Sequence, residues 1–240
     1  MRSFLFLVFF IYSANSSSAP FIKKCKGGDK KCLKEAIQKA IPILAIGQKE
    51  LGIETLDPIF IKSLNASSNG LSLQFQDISG TGLKDCVVKK AKHDVSKLKL
   101  KIKLQCTVEF RGQFEMNGKL LLLPMEGKGD GRVILRKFVV SVESDLGEIN
   151  CSDGQKHWTV QDYKYSYDLK DKPTIELRNV FNDNDVIGRT INEFINTSSD
   201  ELVKDIGPPL FEVVLKKVVE NINKFFKQVA VSDLTLDSTE

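Results

Sequence analysis

The chain has 240 residues, with 35 Lys and Arg against 31 Asp and Glu and a formal charge of +4. So near a balance excludes the strong basic field by which proteins attract nucleic acid, and no nucleic-acid partner is expected. Only two histidines, His93 and His157, are present; both lie in polar, turn-like surroundings and read as surface residues, with no metal-ligand spacing and no nucleophile elbow beside them.

Residues 1–16 read as a secretory signal. Met1-Arg2 is a short basic start, Phe4 to Tyr12 is an apolar core of about nine residues, and Ala14 and Ser16 are the small residues of a cleavage site. Such a run is too short to span a membrane, and no later segment is long and apolar enough. The mature chain is therefore expected to be secreted, extracellular and not transmembrane. No Pro-, Gly- or Ser-rich linker divides it, so residues 20–235 are expected to form a single domain.

Five cysteines in an exported chain point to disulfides. Cys25 and Cys32 flank Gly27-Gly28-Asp29, whose glycines allow a tight turn, and are expected to pair. Cys86 and Cys106 would face each other if the chain turns near His93 to Ser96; that pairing and the state of Cys151 stay open. The sequons at Asn65, Asn150 and Asn196 are candidate glycan sites.

Lys31 to Gly47 has apolar residues at helical spacing (Leu33, Ala36, Ile37, Ala40, Ile41, Leu44), with Pro42 expected to kink the helix or end its first half. Leu71, Leu73 and Phe75 alternate with polar residues as a strand that stops at Gly80-Thr81-Gly82. From Leu98 to Met116 every second residue is apolar except Gly112, and the residues between are Lys, Gln, Thr, Glu and Arg. Strict period-two alternation means a strand buried on one side, and at this length it would run for roughly 60 Å. It belongs to an elongated, curled sheet whose inner face needs a long apolar cover. Lys97, Lys99, Lys101 and Lys103 form its solvated outer stripe, with attraction to anionic surfaces as the lesser reading.

Asn117-Gly118 is expected to reverse the chain in a hairpin. Leu120 to Leu123 has no polar side, and Gly127, Gly129 and Gly131 leave one strand face bare for a close neighbour. Further strands are expected over Val133 to Val142, Trp158 to Leu169 and Ile175 to Val180. Phe181-Asn182-Asp183-Asn184 reads as a helix start, and Ser198 or Ser199 as the cap of a last helix from about Asp200 to Gln228, kinked or broken at Gly207-Pro208-Pro209. Its wide apolar arc, at 1.5 Å per residue about 40 Å long, fits along the curved sheet. Glu143 with Asp145 and Asp183 with Asp185 read as solvating charges rather than an acid and base pair. No enzyme, cofactor or metal site is expected.

Several segments resemble the takeout and haemolymph juvenile-hormone-binding protein family of insects. They are Cys25-x6-Cys32 ahead of a helix, Leu56-Asp57-Pro58, the run from Asn117 to Gly129, Leu177 to Asn182, and Asn192-Glu193-Phe194-Ile195-Asn196. The lack of any cysteine after Cys151 places the resemblance nearer the takeout branch. It implies an α+β fold in which a long, strongly curved antiparallel β-sheet wraps a long C-terminal helix and encloses an apolar tunnel. It also implies carriage of a terpenoid, fatty acid or similar lipid in haemolymph or sensory fluid.

The leading expectation is thus a monomeric secreted carrier whose partner is a small hydrophobic ligand, with room for a cell-surface receptor as a second partner. Candidate lining residues are Leu73, Phe75, Ile102, Leu104, Phe110, Phe114, Leu121, Leu123, Phe138, Phe211, Val214, Val218 and Phe225. The rival expectation is a non-carrier interaction or defence module with a filled interior, acting through its basic surface.

Overall fold

The computed structural model describes residues 19–68, 70–120, 123–179 and 185–237, except for the side chains of 120, 123, 124 and 185–188. The expected signal segment 1–16 and the expected helix start at 181–184 lie outside the described residues.

Two strands form the spine of the molecule. In chain order the first elements are α1 (Lys30–Ala45), β1 (Ile59–Asn65), β2 (Leu71–Thr81), β3 (Val87–Asp94), β4 (Lys99–Leu120) and β5 (Leu123–Asn150). After them come β6 (Lys156–Leu169), β7 (Thr174–Arg178), α2 (Asp185–Thr197), α3 (Ser199–Ile206), α4 (Pro208–Gln228) and the short α5 (Val231–Leu234). β4 and β5 pair from Lys99 opposite Asp145 to Leu120 opposite Leu123, a ladder roughly 70 Å long in contour. On the far side of β4, β3 pairs with the first part and β2 with the second, β1 extending beyond β2. On the far side of β5, β7 pairs at Asp130–Ile134 and β6 from Phe138 onward. The result is one open, all-antiparallel sheet of seven strands.

The alternation read in β4 decides its faces. Cys106, Val108, Phe110, Phe114 and Met116 are buried, while Lys101, Lys103, Thr107, Arg111 and Glu115 are exposed. The ladder slips where Cys106 and Val108 face Phe138 and Leu135, which puts an extra residue into β5. Lys137, in that bulge, has a φ of 46°, and such bulges bend a strand and sharpen its twist. α4 lies on the inner face, burying Phe211 and Val214 among the β4 and β5 side chains and Phe225 and Phe226 against Leu146 and Ile53.

An open sheet leaves strand edges with unpaired backbone groups. Here amide side chains from the helices meet them. From α1, Gln38 donates to the Cys86 carbonyl at 3.0 Å and accepts from the Val88 N–H at 2.8 Å. From α2, Asn192 accepts from the Leu177 N–H and donates to its carbonyl, at 2.7 and 2.8 Å. Asn196 does the same for Ile175 at 2.9 and 2.6 Å. From α4, Asn223 meets both backbone groups of Val160, at 2.7 and 3.3 Å.

One expectation needs correction, and two that left alternatives open are narrowed. Asn117-Gly118 is not the turn: Asn117 pairs with Glu126 and Gly118 with Met125 inside the ladder, which continues to Leu120. The glycine serves a different need there, because its φ is 134° and a Cβ would stand 2.1 Å from the Gly70 carbonyl oxygen. Pro42 does not end α1, which continues to Ala45. Of the two outcomes expected at Gly207-Pro208-Pro209, the last helix shows the break: Gly207 separates α3 from α4, and Pro208 and Pro209 occupy first-turn positions where no intrahelical N–H is needed.

Both open disulfide questions close. Cys25 bonds Cys32, and Cys86 bonds Cys106 across β3 and β4, while Cys151 is a free thiol.

Candidate functional site: an apolar interior in two chambers

The sheet and the helices do not mesh fully. A larger chamber of about 360 Å³ lies between α1, the α4 face and the inner sides of β4, β5 and β6. A smaller one of about 110 Å³ lies beyond it, under β2, β7 and α3. Phe110 and Phe211 line both and stand where the two meet. Phe211 is held there by ring contacts, its centroid 5.0 Å from Phe138 and 4.9 Å from Tyr167. Small residues make room for the partition: a Cβ on Gly207 would come within 3.0 Å of the Phe211 ring, and one on Gly80 within 2.6 Å of the Phe110 ring.

Of the residues singled out from the sequence, Ile102, Leu104, Phe138, Val214, Val218 and Phe225 line the larger chamber. Leu73, Phe75 and Phe114 line the smaller one. Leu121 and the side chain of Leu123 lie outside what is described.

Sequence reasoning missed the contribution of α1, whose Ala36, Ile37, Ala40 and Ile41 wall the larger chamber opposite the sheet. The three- and four-residue spacing gave that stripe but not the surface it faces. Also missed were Val140, Val142 and Val160, and the edge of the chamber built by His93 and Trp158.

The histidines are the clearest correction. His157 is only 1% exposed; its Nδ1 lies 2.8 Å from the Phe226 carbonyl oxygen, to which it donates, and its Nε2 lies 2.9 Å from Asp153 Oδ2. His93 lines the larger chamber with its ring 5.1 Å from that of Trp158. Burial lowers its pKa from 6.5, although the charges of Asp237 and Asp94 act the other way. Both rings look polar-flanked in sequence, yet the end of α4 covers His157, and His93 is half-buried against Trp158.

The predicted charges behave as an outer face. Lys99 reaches Asp145 at 2.5 Å and Lys101 reaches Glu143 at 2.7 Å, so this carboxylate pair is engaged with lysines; Asp183 and the side chain of Asp185 lie outside the described residues. Asn65 is exposed, whereas the Asn196 amide donates to the Ile175 and Asn192 carbonyls. Among the described residues no group of His, Cys, Asp and Glu is placed to hold a metal ion, and no helix is long and apolar enough to cross a membrane.

Comparison with known proteins agrees with this architecture. The crystal structure of Takeout 1 from Epiphyas postvittana superposes with a TM-score of 0.86, covering 90% of this chain and 100% of that one at 24% identity, which shows a shared fold. The circadian clock-controlled protein daywake of Drosophila melanogaster is 27% identical over 207 residues, 81% of this chain and 79% of its own length. Its Drosophila yakuba counterpart is 26% identical over 227 residues, 86% and 87% of the two chains. The sequence profile described as haemolymph juvenile hormone binding protein (JHBP) matches residues 4–236. The chain belongs to the haemolymph juvenile hormone binding protein family.

Proposed function

We propose that the protein is a secreted carrier that takes a small hydrophobic ligand, a terpenoid, fatty acid or similar lipid, into the chambers between sheet and helices. The observation that carries this reading is the interior itself: about 360 Å³ in the larger chamber, walled by aliphatic and aromatic side chains. Binding would be driven by removing apolar surface from water, roughly 25 cal/mol per Å². A ligand burying about 300 Å² gains several kcal/mol before the entropy of association is subtracted. The apolar N-terminal segment and the two disulfides support export. On this reading residues 1–16 are removed, and a monomeric domain over 20–235 circulates with a glycan at Asn65.

Extraction of the purified protein with organic solvent, followed by mass spectrometry, is expected to release a stoichiometric lipid. The emptied protein is expected to take up a fluorescent fatty-acid probe, and Ile102→Arg, which puts a charge in the larger chamber, to abolish uptake while circular dichroism stays unchanged. A protein that yields no lipid and takes up no probe is not a carrier.

One observation favours a second role for the surface. Lys90 stands directly opposite Lys103, and Lys92 opposite Lys101, and like charges facing each other across strands oppose folding. Such a patch suits an anionic surface. Co-sedimentation with phosphatidylserine vesicles but not phosphatidylcholine vesicles is the expected result, and equal partitioning rules this role out.

A further inference from the structure

One end of the larger chamber lies where three segments distant in sequence meet. They are the β3–β4 turn at Val95-Ser96-Lys97, the disulfide loop from Cys25 to Cys32 and the segment that follows α5. Thr235 bridges Cys25 in parallel register, the Leu236 N–H donates to the Cys25 carbonyl at 3.0 Å, and the Gly27 N–H donates to Asp237 Oδ2 at 2.7 Å. Val95 stands directly against the same loop, since a Cβ on Gly27 would collide with its side chain. Cys25, Gly27, Leu234 and Thr235 line the chamber. Val95 and Leu236 are not among its walls and are 42% and 58% exposed. Apolar side chains scattered singly over a surface need no explanation, but two of them packed around one loop at the end of a cavity mark a contact surface.

The face behind this tip is basic. Lys90 and Lys92 on β3 stand opposite Lys103 and Lys101 on β4, and the ladder slips between Val88 and Lys90, where Lys89 is exposed as well. Lys101 reaches Glu143 at 2.7 Å, but Lys89, Lys90, Lys92 and Lys103 have no ion pair with a described carboxylate. The strand rise places all of them within about 20 Å of the turn. The carboxylates of the tip itself are taken up internally. Asp29 accepts from the Cys32 N–H at 3.0 Å, Asp94 from Ser96 Oγ at 2.9 Å, and Asp233 meets Lys24 at 3.1 Å. An anionic bilayer matches both features at once: lysines are drawn to its charged surface over about a Debye length, and exposed apolar side chains gain by entering its interface. A soluble polyanion would meet the lysines and leave Val95 and Leu236 in water.

We propose that the protein docks on an anionic lipid bilayer by this end, the lysines of β3 and β4 resting on the head groups and Val95 and Leu236 entering the interface, and that ligand passes between membrane and chamber while it is docked. The proposal deepens the surface role described above and, for the passage of ligand, rests on the carrier reading. Release into water would expose the whole apolar surface of a ligand, an unfavourable step that exchange at the bilayer avoids. The cover of the chamber's end suits such an exchange. The Cys25–Cys32 bridge closes its loop on itself and does not tie it to the segment after α5. That segment is joined to the loop by hydrogen bonds, including Thr235 Oγ1 to the Cys25 carbonyl at 3.0 Å, and contacts of this kind open at far lower cost than a packed core.

The full-length secreted protein is mixed with vesicles of phosphatidylserine and phosphatidylcholine, and with vesicles of phosphatidylcholine alone. Binding is expected to the mixed vesicles only and to be lost at high salt. Lys90→Gln with Lys103→Gln is expected to weaken it, roughly fivefold per lysine. Val95→Ser with Leu236→Ser is expected to weaken it about tenfold, while circular dichroism and affinity for a fluorescent fatty-acid probe stay unchanged and show fold and chamber intact. Protein loaded with that probe is then mixed with mixed-lipid vesicles carrying a quencher. The transfer rate is expected to rise in proportion to vesicle concentration and to fall about tenfold in the Val95→Ser, Leu236→Ser protein. Binding to mixed vesicles untouched by that pair of substitutions overturns docking by the tip and leaves the surface role standing. Equal binding to both kinds of vesicle, or to neither, overturns both. A transfer rate independent of vesicle concentration shows release into water and overturns exchange at the membrane. A protein that takes up no probe overturns the carrier reading, and vesicle binding still decides the docking.

Discussion

Glu109 shows how the outer face of the sheet is held. Its carboxylate receives Arg132 in a two-pronged contact, Nε to Oε1 at 3.0 Å and Nη2 to Oε2 at 2.9 Å, and Arg111 Nε at 2.5 Å. Arg132 in turn reaches Glu176 at 3.0 Å, so one chain of charges ties β4, β5 and β7. The Arg132 hydrogen bonds, with Arg111 adding to them, pull the Glu109 pKa from 4.5 down to about 2. A carboxyl whose pKa falls on folding stabilises the native state above its unfolded pKa and loses that contribution as the pH falls from 4.5 toward 2. Glu109→Gln is expected to lower stability at pH 7 by about 1 kcal/mol, a modest value because solvent screens the pair. Urea unfolding of the two proteins at pH 7 and again near pH 2 checks this, the difference vanishing at the acid end.

Among the elements, the pairing of α2 with β7 is a geometric match. Asn192 and Asn196 are four residues apart on a helix, about 6 Å along its axis, and Leu177 and Ile175 are two residues apart on a strand, about 6.6 Å. Two amides can therefore meet two successive edge-facing peptide groups at once, and all four bonds form. Replacing Asn196 by Leu is expected to leave the Ile175 N–H and C=O without side-chain partners. The cost should be about 2 kcal/mol, the range for buried groups stripped of a partner. Hydrogen exchange at the Ile175 amide should accelerate by a factor of ten or more while Val108, in the middle of the sheet, stays protected. Unchanged exchange at Ile175 would show that the edge is covered by something other than this amide. The same clamp makes an Asn196 glycan incompatible with the observed contacts of its amide, which is why the modification is proposed at Asn65.

At the scale of the whole molecule the question is what sets the length of the interior. Two chambers meet at Phe110 and Phe211, and Phe211 stands on the first turn of α4, just after the break at Gly207. Phe211→Ala is expected to join the chambers. It removes a buried aromatic ring, for which about 3–4 kcal/mol of lost stability is the usual scale. It is also expected to shift preference toward longer ligands, seen as stronger displacement of the fluorescent probe by chains too long for the larger chamber alone. A variant that stays folded and keeps the wild-type length preference would place the limit elsewhere.

The sequence by itself determined the elements and their faces. Nearest-neighbour rules decide whether Ile102 and Lys103 point to opposite sides of a strand, or whether Val214 and Val218 share a side of a helix, and those rules act within a few residues. The same locality explains the misreadings. Asn117-Gly118 has the composition of a turn, but its glycine is needed where β2 comes close to β4, a demand set by a strand nearly fifty residues earlier in the chain. His157 sits among polar neighbours in sequence and is buried because the end of α4 brings the Phe226 carbonyl to it. The chambers and their partition were likewise decided only by the tertiary structure. A cavity is the volume left when distant surfaces fail to fill the space between them, and no single segment encodes it.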